Sequence, residues 1–252
     1  DWLRALRYVR FYGRFGDTPP DEKTFNALAN AAPELQNLSA ERITTEVLKT
    51  MVTPKAEQAL ALMAELDYFT ALGLPEFSVA QVKAYARHYP QTTDPLILLM
   101  AGVWQSPYDI SLNTFKNPLL DTLHLRFSKK QQKMLQALAP ANAAKLTTEN
   151  IPYSCWALGS QVAAQLWRYV SVFCPNALDL TENDAQQAAE KAAATTVPPF
   201  PLKGADMAEL GYEKGAEMGQ ALKKTEQWWA ENGFPDKGAC LDWVKNNQGL
   251  KT

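Results

Sequence analysis

The sequence predicts an all-α fold, an elongated array of helices, on three observations. Ala, Leu, Gln, Glu and Lys recur in almost every segment, whereas the strict alternation of a strand is scarce. Helix-opening residues (Ser39, Pro54, Ser128 and Thr181) each precede a run of helix formers. Between those runs stand the punctuating residues, such as Gly16, the Thr18–Asp21 stretch and Gly73 with Pro75.

The elements follow in order. The first helix runs from the chain start to Gly16, where Gly and the two prolines of TPPD stop it. A short helix over 22–32 ends before Pro33. Ser39 N-caps a helix over 40–51, and Pro54 opens one over 54–71. Two short helices are expected over 78–88 and 94–104. The stretch NTFKNPLLDTLHLRF reads as a helix ending near Arg126, after which Ser128 caps a helix through Leu138. Residues 152–173, rich in Trp and Ala, form one long helix or two. Thr181 precedes a helix over 182–194, and TTVPPFPL at 195–202 is an extended linker. Helices over 204–210, 215–231 and 236–246 complete the chain, with no internal repeat.

Composition narrows the function. A chain of 252 residues with 46% hydrophobic content buries an ordinary core. The longest apolar run, around Pro95 to Trp104, is too short to span a bilayer, so no membrane partner is expected. The net charge of −2 is unlike that of a generic nucleic-acid binder, so any contact with RNA has to come from local patches. Cys155, Cys174 and Cys240 are odd in number and lack CxxC spacing, which argues against a zinc or disulfide framework and fits a cytoplasmic setting. His88 and His124 are far apart, and no metal site is expected.

The most informative segment is the first. Arg4, Arg7, Arg10 and Arg14 are spaced three, three and four residues apart. At about 100° per residue they share one side of a helix. The only acidic residue at helical spacing to them is Asp1. Arg carries a rigid fork of donors and a carboxylate carries acceptors. Asp1 and Arg4, one turn apart, can therefore meet the edge of a base together. The Asp accepts from the exocyclic amine of cytosine or adenine, and the Arg donates to the ring nitrogen, a pairing that admits C and A and rejects U and G. On spacing alone, the stripe reads equally as a surface helix whose arginines pair with neighbouring carboxylates.

The run D-x-L-R-x-L-R-x-V-R-F-x-x-R-F-G resembles the neck motif of the bacterial class II tRNA nucleotidyltransferases, the CCA-adding enzymes, and of the related bacterial poly(A) polymerases. In that family a Glu-Asp-x-x-Arg motif is an amino-acid template for incoming CTP or ATP. The resemblance places Asp1 and Arg4 on its Asp and Arg, and Arg7 at the nucleotide's phosphates. Arg10 and Arg14 then support the neck or touch RNA backbone. LSAERITTEVLKTM at 38–51 is similar to the family's next motif through Glu41, Arg42, Glu46 and Lys49, although an ordinary capped amphipathic helix also explains it. Arg126, Lys129, Lys130 and Lys133 cluster at a helix start near Ser128, where a phosphate can sit; each lysine taken singly reads as a solvated face. FPLKGADMAELGYEKGAEMG at 200–219 is similar to the family's tail, through Pro201, Leu202, Lys203, Gly204, Asp206, Gly211, Gly215 and Gly219. Gly211 suits a left-handed position after a helix. Gly215 exposes backbone N–H groups at the next helix start, beside Lys214, a way to hold RNA phosphate without reading sequence.

Two patterns imitate a catalytic site. Gly159-Ser160 resembles the Gly-Ser that opens a nucleotidyltransferase site, but residues 168–174 read RYVSVFC and carry no carboxylate. Glu182-x-Asp184 is better explained by a helix N-terminus after Thr181. The resemblance therefore implies a neck (1–75), a body (76–195) and a tail (196–252), without the family's catalytic head. The chain is expected to be the C-terminal, nucleotide-selecting and tRNA-binding portion of a CCA-adding enzyme, catalytically silent alone, whose full-length form uses Mg²⁺ with CTP and ATP. A poly(A) polymerase region, or a silent helical scaffold that binds RNA or protein, is the alternative.

Overall fold

A computed structural model of the chain describes residues 2–104, 120, 124–174 and 181–247. Helices are the only regular elements among the described residues, so the all-α expectation holds. The chain divides into two compact units, Asp1–Ala144 with Tyr169–Glu182, and Lys145–Arg168 with Asn183–Thr252.

The first unit is built around α1 (Leu3–Phe15), which packs on α3 (Ala40–Met51) and α4 (Ala56–Glu65). Leu3, Ala5, Leu6, Val9 and Gly13 repeat at helical spacing and form the buried face of α1. The fit is close at Gly13. A Cβ there would lie 2.5 Å from Thr53 Oγ1 and 2.8 Å from the Ala59 Cβ. Its carbonyl accepts from the Lys55 amide at 2.8 Å. Lys55 Nζ also donates to the Gly16 carbonyl at 2.7 Å and to Asp17, so a cation closes the C-terminal end of α1, where the helix dipole favours it.

The caps read at Ser39 and Ser128 are present. Ser39 Oγ accepts from the Arg42 amide at the start of α3. Asp21, a start signal the sequence reading passed over, accepts from the Thr24 amide at the start of α2 (Glu22–Ala29). The expected helix over 54–71 is instead two, α4 and α5 (Tyr68–Ala71), because Asp67 takes a left-handed conformation with φ 56°. A short polar side chain tolerates that conformation. The break aims the buried Tyr68 so that its hydroxyl donates to the Leu28 carbonyl at 2.8 Å, and burial pushes that phenol's pKa up. α6 (Val79–His88) and α7 (Pro95–Gly102) pack together, with Asp94 capping α7. Residues 113–119 and 121–123 of the helix expected to end near Arg126 lie outside the described residues; residues 124–128 are not helical. α8 (Lys129–Ala137) follows, opened by a capping box between Ser128 and Gln131. Trp104, Tyr85 and Tyr169 are buried together in this unit, and the Tyr169 hydroxyl donates to the Ile97 carbonyl at 2.8 Å.

The expected helix over 152–173 is interrupted, giving α9 (Ile151–Leu158), which lies in the second unit, and α10 (Ser160–Phe173), whose residues from Tyr169 on belong to the first. Gly159 makes the break with φ 85° and ψ 138°, a conformation reserved for glycine. Ser160 Oγ donates to the Thr195 carbonyl at 2.6 Å, so this Gly-Ser pair is part of the scaffold. α11 (Glu182–Ala194) leads into the extended segment predicted over 195–202. α12 (Gly204–Glu209), α13 (Ala216–Glu231) and α14 (Lys237–Asn246) enclose a core that includes Leu202, Met207, Tyr212, Trp229, Cys240 and Val244.

Candidate nucleotide and RNA interface

The candidate interface begins on α1. The candidate Asp1 lies outside the described residues. Arg4 projects from the first turn of α1 and is exposed; among the described residues it makes no ion pair. Arg7 is half-exposed and its Nε lies 3.7 Å from Glu46 Oε1. Arg10 is more buried, and its Nε sits 2.7 Å from Glu46 Oε2. Neither of those two buried atoms has an aligned hydrogen bond, so their contact is an ion pair rather than a directed bond. Arg14 is exposed near the end of α1, with its guanidinium over the Phe15 ring. The middle arginines thus pair with a neighbouring carboxylate, as the surface-helix reading expects, and the outer two are open to solvent.

Glu46 explains how α3 serves α1. It is 5% exposed and shares the buried face of α3 with Ile43, Val47 and Thr50, at helical spacing. A carboxylate on an apolar face is costly unless it is paired. Glu46 aligns with the resembled family's motif, but the sequence names no partner for it. Its position on an otherwise apolar face, facing an arginine-rich helix, was the signal available.

The opposite edge of α3 holds residue 126. Thr44 Oγ1 accepts from the Arg126 amide at 2.7 Å and donates to the Ala40 carbonyl. Arg126 Nε lies 3.5 Å from Glu41 Oε1, and both side chains are exposed. Arg42 is exposed on the first turn of α3. Lys129 and Lys130 are exposed at the start of α8, where the Ser128 and Gln131 side chains already accept from two backbone amides. The structure therefore joins Arg7, Arg10 and Arg126 to the Glu41–Glu46 stretch, while Lys129 and Lys130 project freely from the same unit.

The remaining candidates belong to the second unit. Asp206 Oδ2 accepts from the Lys203 amide at 2.7 Å, and its Oδ1 accepts from Lys237 Nζ. These bonds, the Lys237 one first, hold the Asp206 carboxyl below the usual carboxylate range. The Lys-Gly-x-Asp motif thus closes the helix start at Gly204. Gly211 has φ 85°, as predicted for the position after α12. Its amide donates to the Ala208 carbonyl and that of Tyr212 to the Met207 carbonyl, the paired bonds of a Schellman turn. Lys203, Lys214 and Gly215 are exposed, and Gly215 occupies the N-cap of α13.

Among the described residues no group of three or more His, Cys, Asp or Glu side chains converges as a metal site would require. Cys155, Cys174 and Cys240 are free and buried. No helix among the described residues is long and apolar enough to cross a membrane.

Comparison with known proteins bears on this arrangement. Residues 19–80 match the family model described as the probable RNA and SrmB-binding site of polymerase A. The chain is 25% identical to human CCA tRNA nucleotidyltransferase 1, mitochondrial, over 97% of its own length and 55% of the relative's. Over 35% of the chain and 22% of the relative, it is 35% identical to the CCA-adding enzyme of a Geobacillus strain. The Bacillus stearothermophilus CCA-adding enzyme in complex with CTP shares the fold, with a TM-score of 0.67, 19% identity, and coverage of 100% of this chain and 62% of that one. The Thermotoga maritima enzyme complexed with tRNA aligns with a TM-score of 0.50 and 16% identity, over 98% of this chain and 61% of that one. The chain spans about half the length of the vertebrate relatives it matches from end to end. By these matches the chain is similar to CCA-adding enzymes over nearly its whole length, carries over residues 19–80 the polymerase A RNA-binding match, and shares the helical fold of a solved CCA-adding enzyme.

Proposed function

We propose that this chain is the nucleotide-selecting and tRNA-binding portion of a CCA-adding tRNA nucleotidyltransferase. The observation that carries the reading is the first helix. Arg4 is left open at its start, while Glu46 fixes its middle through Arg10 and Arg7. A base-reading side chain needs a rigid support, and a buried ion pair to a neighbouring helix supplies one. In this reading Asp1 and Arg4 choose cytosine or adenine, and Arg7 faces the nucleotide's phosphates. Arg14, Arg42, Arg126, Lys129 and Lys130 contact RNA backbone. Lys203, Lys214 and the glycines at 204, 211 and 215 hold phosphates of the tRNA. Residues 1–75, 76–195 and 196–252 act as neck, body and tail.

The described residues do not fit a magnesium ion, because no set of carboxylates converges. The metal, and the transfer of CMP and AMP, would depend on residues outside those described. A cytoplasmic setting is part of the proposal and rests on the three free thiols. The mitochondrial wording belongs to the vertebrate relatives.

A direct test mixes the purified chain with tRNA lacking its CCA end and measures binding and CTP incorporation separately. Binding without incorporation is expected. Incorporation would overturn the claim that the chain is silent alone, and absence of binding at low salt would favour the scaffold reading. Relatives named as CCA-adding enzymes favour CTP and ATP over a poly(A) polymerase that uses ATP alone. In the full-length protein, Arg4→Ala should lower discrimination between CTP and UTP by about tenfold to a hundredfold.

A further inference from the structure

The second half of α1 carries a feature that the proposed function leaves unused. Phe11 is 48% and Phe15 64% exposed, which is unusual for two phenylalanines one turn apart. Their rings stack, with centroids 6.1 Å apart and planes inclined by 16°. Arg10 places its guanidinium 4.6 Å from the Phe11 centroid, and Arg14 places its own 5.4 Å from that of Phe15. Beside them opens a groove of about 490 Å³ whose lining includes Phe11, Arg14, Lys49 and Val52. Val52 is itself 46% exposed.

The charges around this groove are one-sided. No acidic residue lines it. Arg10 is matched by Glu46, but among the described residues Arg14 and Lys49 make no ion pair. Stacked aromatic faces beside unmatched cations are the chemistry by which single-stranded nucleic acid is held: bases stack, and the cations follow the phosphates. An apolar protein segment would satisfy the rings but leave Arg14 and Lys49 without partners. An acidic duplex would satisfy the cations but offer no open base face to the rings.

We infer that Phe11, Phe15, Arg14 and Lys49 form a docking site for a single-stranded RNA segment, with its bases stacked on the phenylalanine pair and its phosphates at Arg14 and Lys49. This deepens the proposed function and rests on it, since single-stranded RNA is what the 3′ end of a tRNA offers. Volume and exposure allow one or two bases.

The test uses the full 252-residue chain, a fluorescein-labelled dodecamer of cytidylate RNA, and an intact tRNA lacking its CCA end. Phe11→Leu/Phe15→Leu keeps apolar bulk and removes the stacking faces. It should weaken dodecamer binding by about tenfold or more without changing the dependence on salt. Phe11→Trp/Phe15→Trp should restore it. Arg14→Gln/Lys49→Gln should weaken binding and lower the salt slope by about 1.4, two phosphates' worth for a single strand. Because both rings are exposed, the circular dichroism of the leucine variant should match that of the parent.

Dodecamer affinity unchanged in the leucine variant would overturn the inference. If the parent chain self-associated in sedimentation and Phe11→Ser/Phe15→Ser abolished it, the face would be assigned to a protein contact instead. Tight tRNA binding with no dodecamer binding would remove the inference and leave the proposed function standing. Dodecamer binding that depends on the phenylalanines, with no preference for tRNA, would do the reverse.

Discussion

Glu46 is the residue on which most of the first unit's electrostatics turns. It is almost fully buried, and two arginines from another helix share it. Breaking a buried pair by neutralising one member leaves the other charge without compensation. Arg10 keeps some solvent contact and Arg7 keeps more, which moderates the loss. Glu46→Gln should therefore cost about 2 kcal/mol of stability, read as a lowered midpoint in urea unfolding. Asp206 gives a prediction in pH. Its pKa in the folded chain lies below the unfolded value, so its contribution is present above about pH 4 and is lost as pH falls through the folded value. The stability difference between the parent and Asp206→Asn should shrink in that acid range, as parallel urea titrations would show. At this scale the sequence was informative wherever a residue acts on its own neighbourhood. Ser39, Ser128 and Gly211 do what their types and positions predict, because caps and Schellman turns close within a few residues. Glu46 and Thr44 act across helices, and no local pattern names their partners.

Between elements, the spacing of α1 from Thr53 and α4 is set by a missing side chain. Gly13→Ala would gain about 1 kcal/mol in helix propensity. It would place a methyl group against Thr53 and Ala59, where overpacking costs about 1–3 kcal/mol. A net loss of up to about 2 kcal/mol is expected by thermal or urea unfolding. Gly159→Ala isolates the other kind of glycine effect. Nothing lies within 4 Å of the added carbon, so the cost is conformational alone, about 1–3 kcal/mol. Measuring both variants separates space from backbone freedom. Element boundaries were legible where punctuation is strong, as at the 195–202 linker and α14. The sequence left 152–173 open as one helix or two, and it missed the split of 54–71. Asp67 is not a strong breaker by type, and the Tyr68–Leu28 contact that accompanies its left-handed conformation lies far away in sequence.

For the whole molecule, the net charge of −2 and the proposed tRNA contacts make a joint prediction. An acidic chain that binds RNA does so through local patches, each releasing counterions. With about five phosphate contacts, log affinity should fall with log salt at a slope of about −4, measured by titrating tRNA between low and moderate salt. A slope near zero would speak for a protein-binding scaffold. The resemblance and the helical class were readable in the sequence, whereas Asp1, on which the proposed base reading depends, lies outside the described residues. The pairing of Arg7 and Arg10 with Glu46 has a metric consequence. With Arg7 and Arg10 sharing the Glu46 carboxylate, the guanidiniums of α1 that make no ion pair among the described residues sit at Arg4 and Arg14, ten residues and so about 15 Å apart along the axis. α1 then works as a ruler with a charged mark at each end. Under the proposed function, a mononucleotide would reach one mark and a chain of a few nucleotides both, so α1 would favour the longer ligand before any base is read.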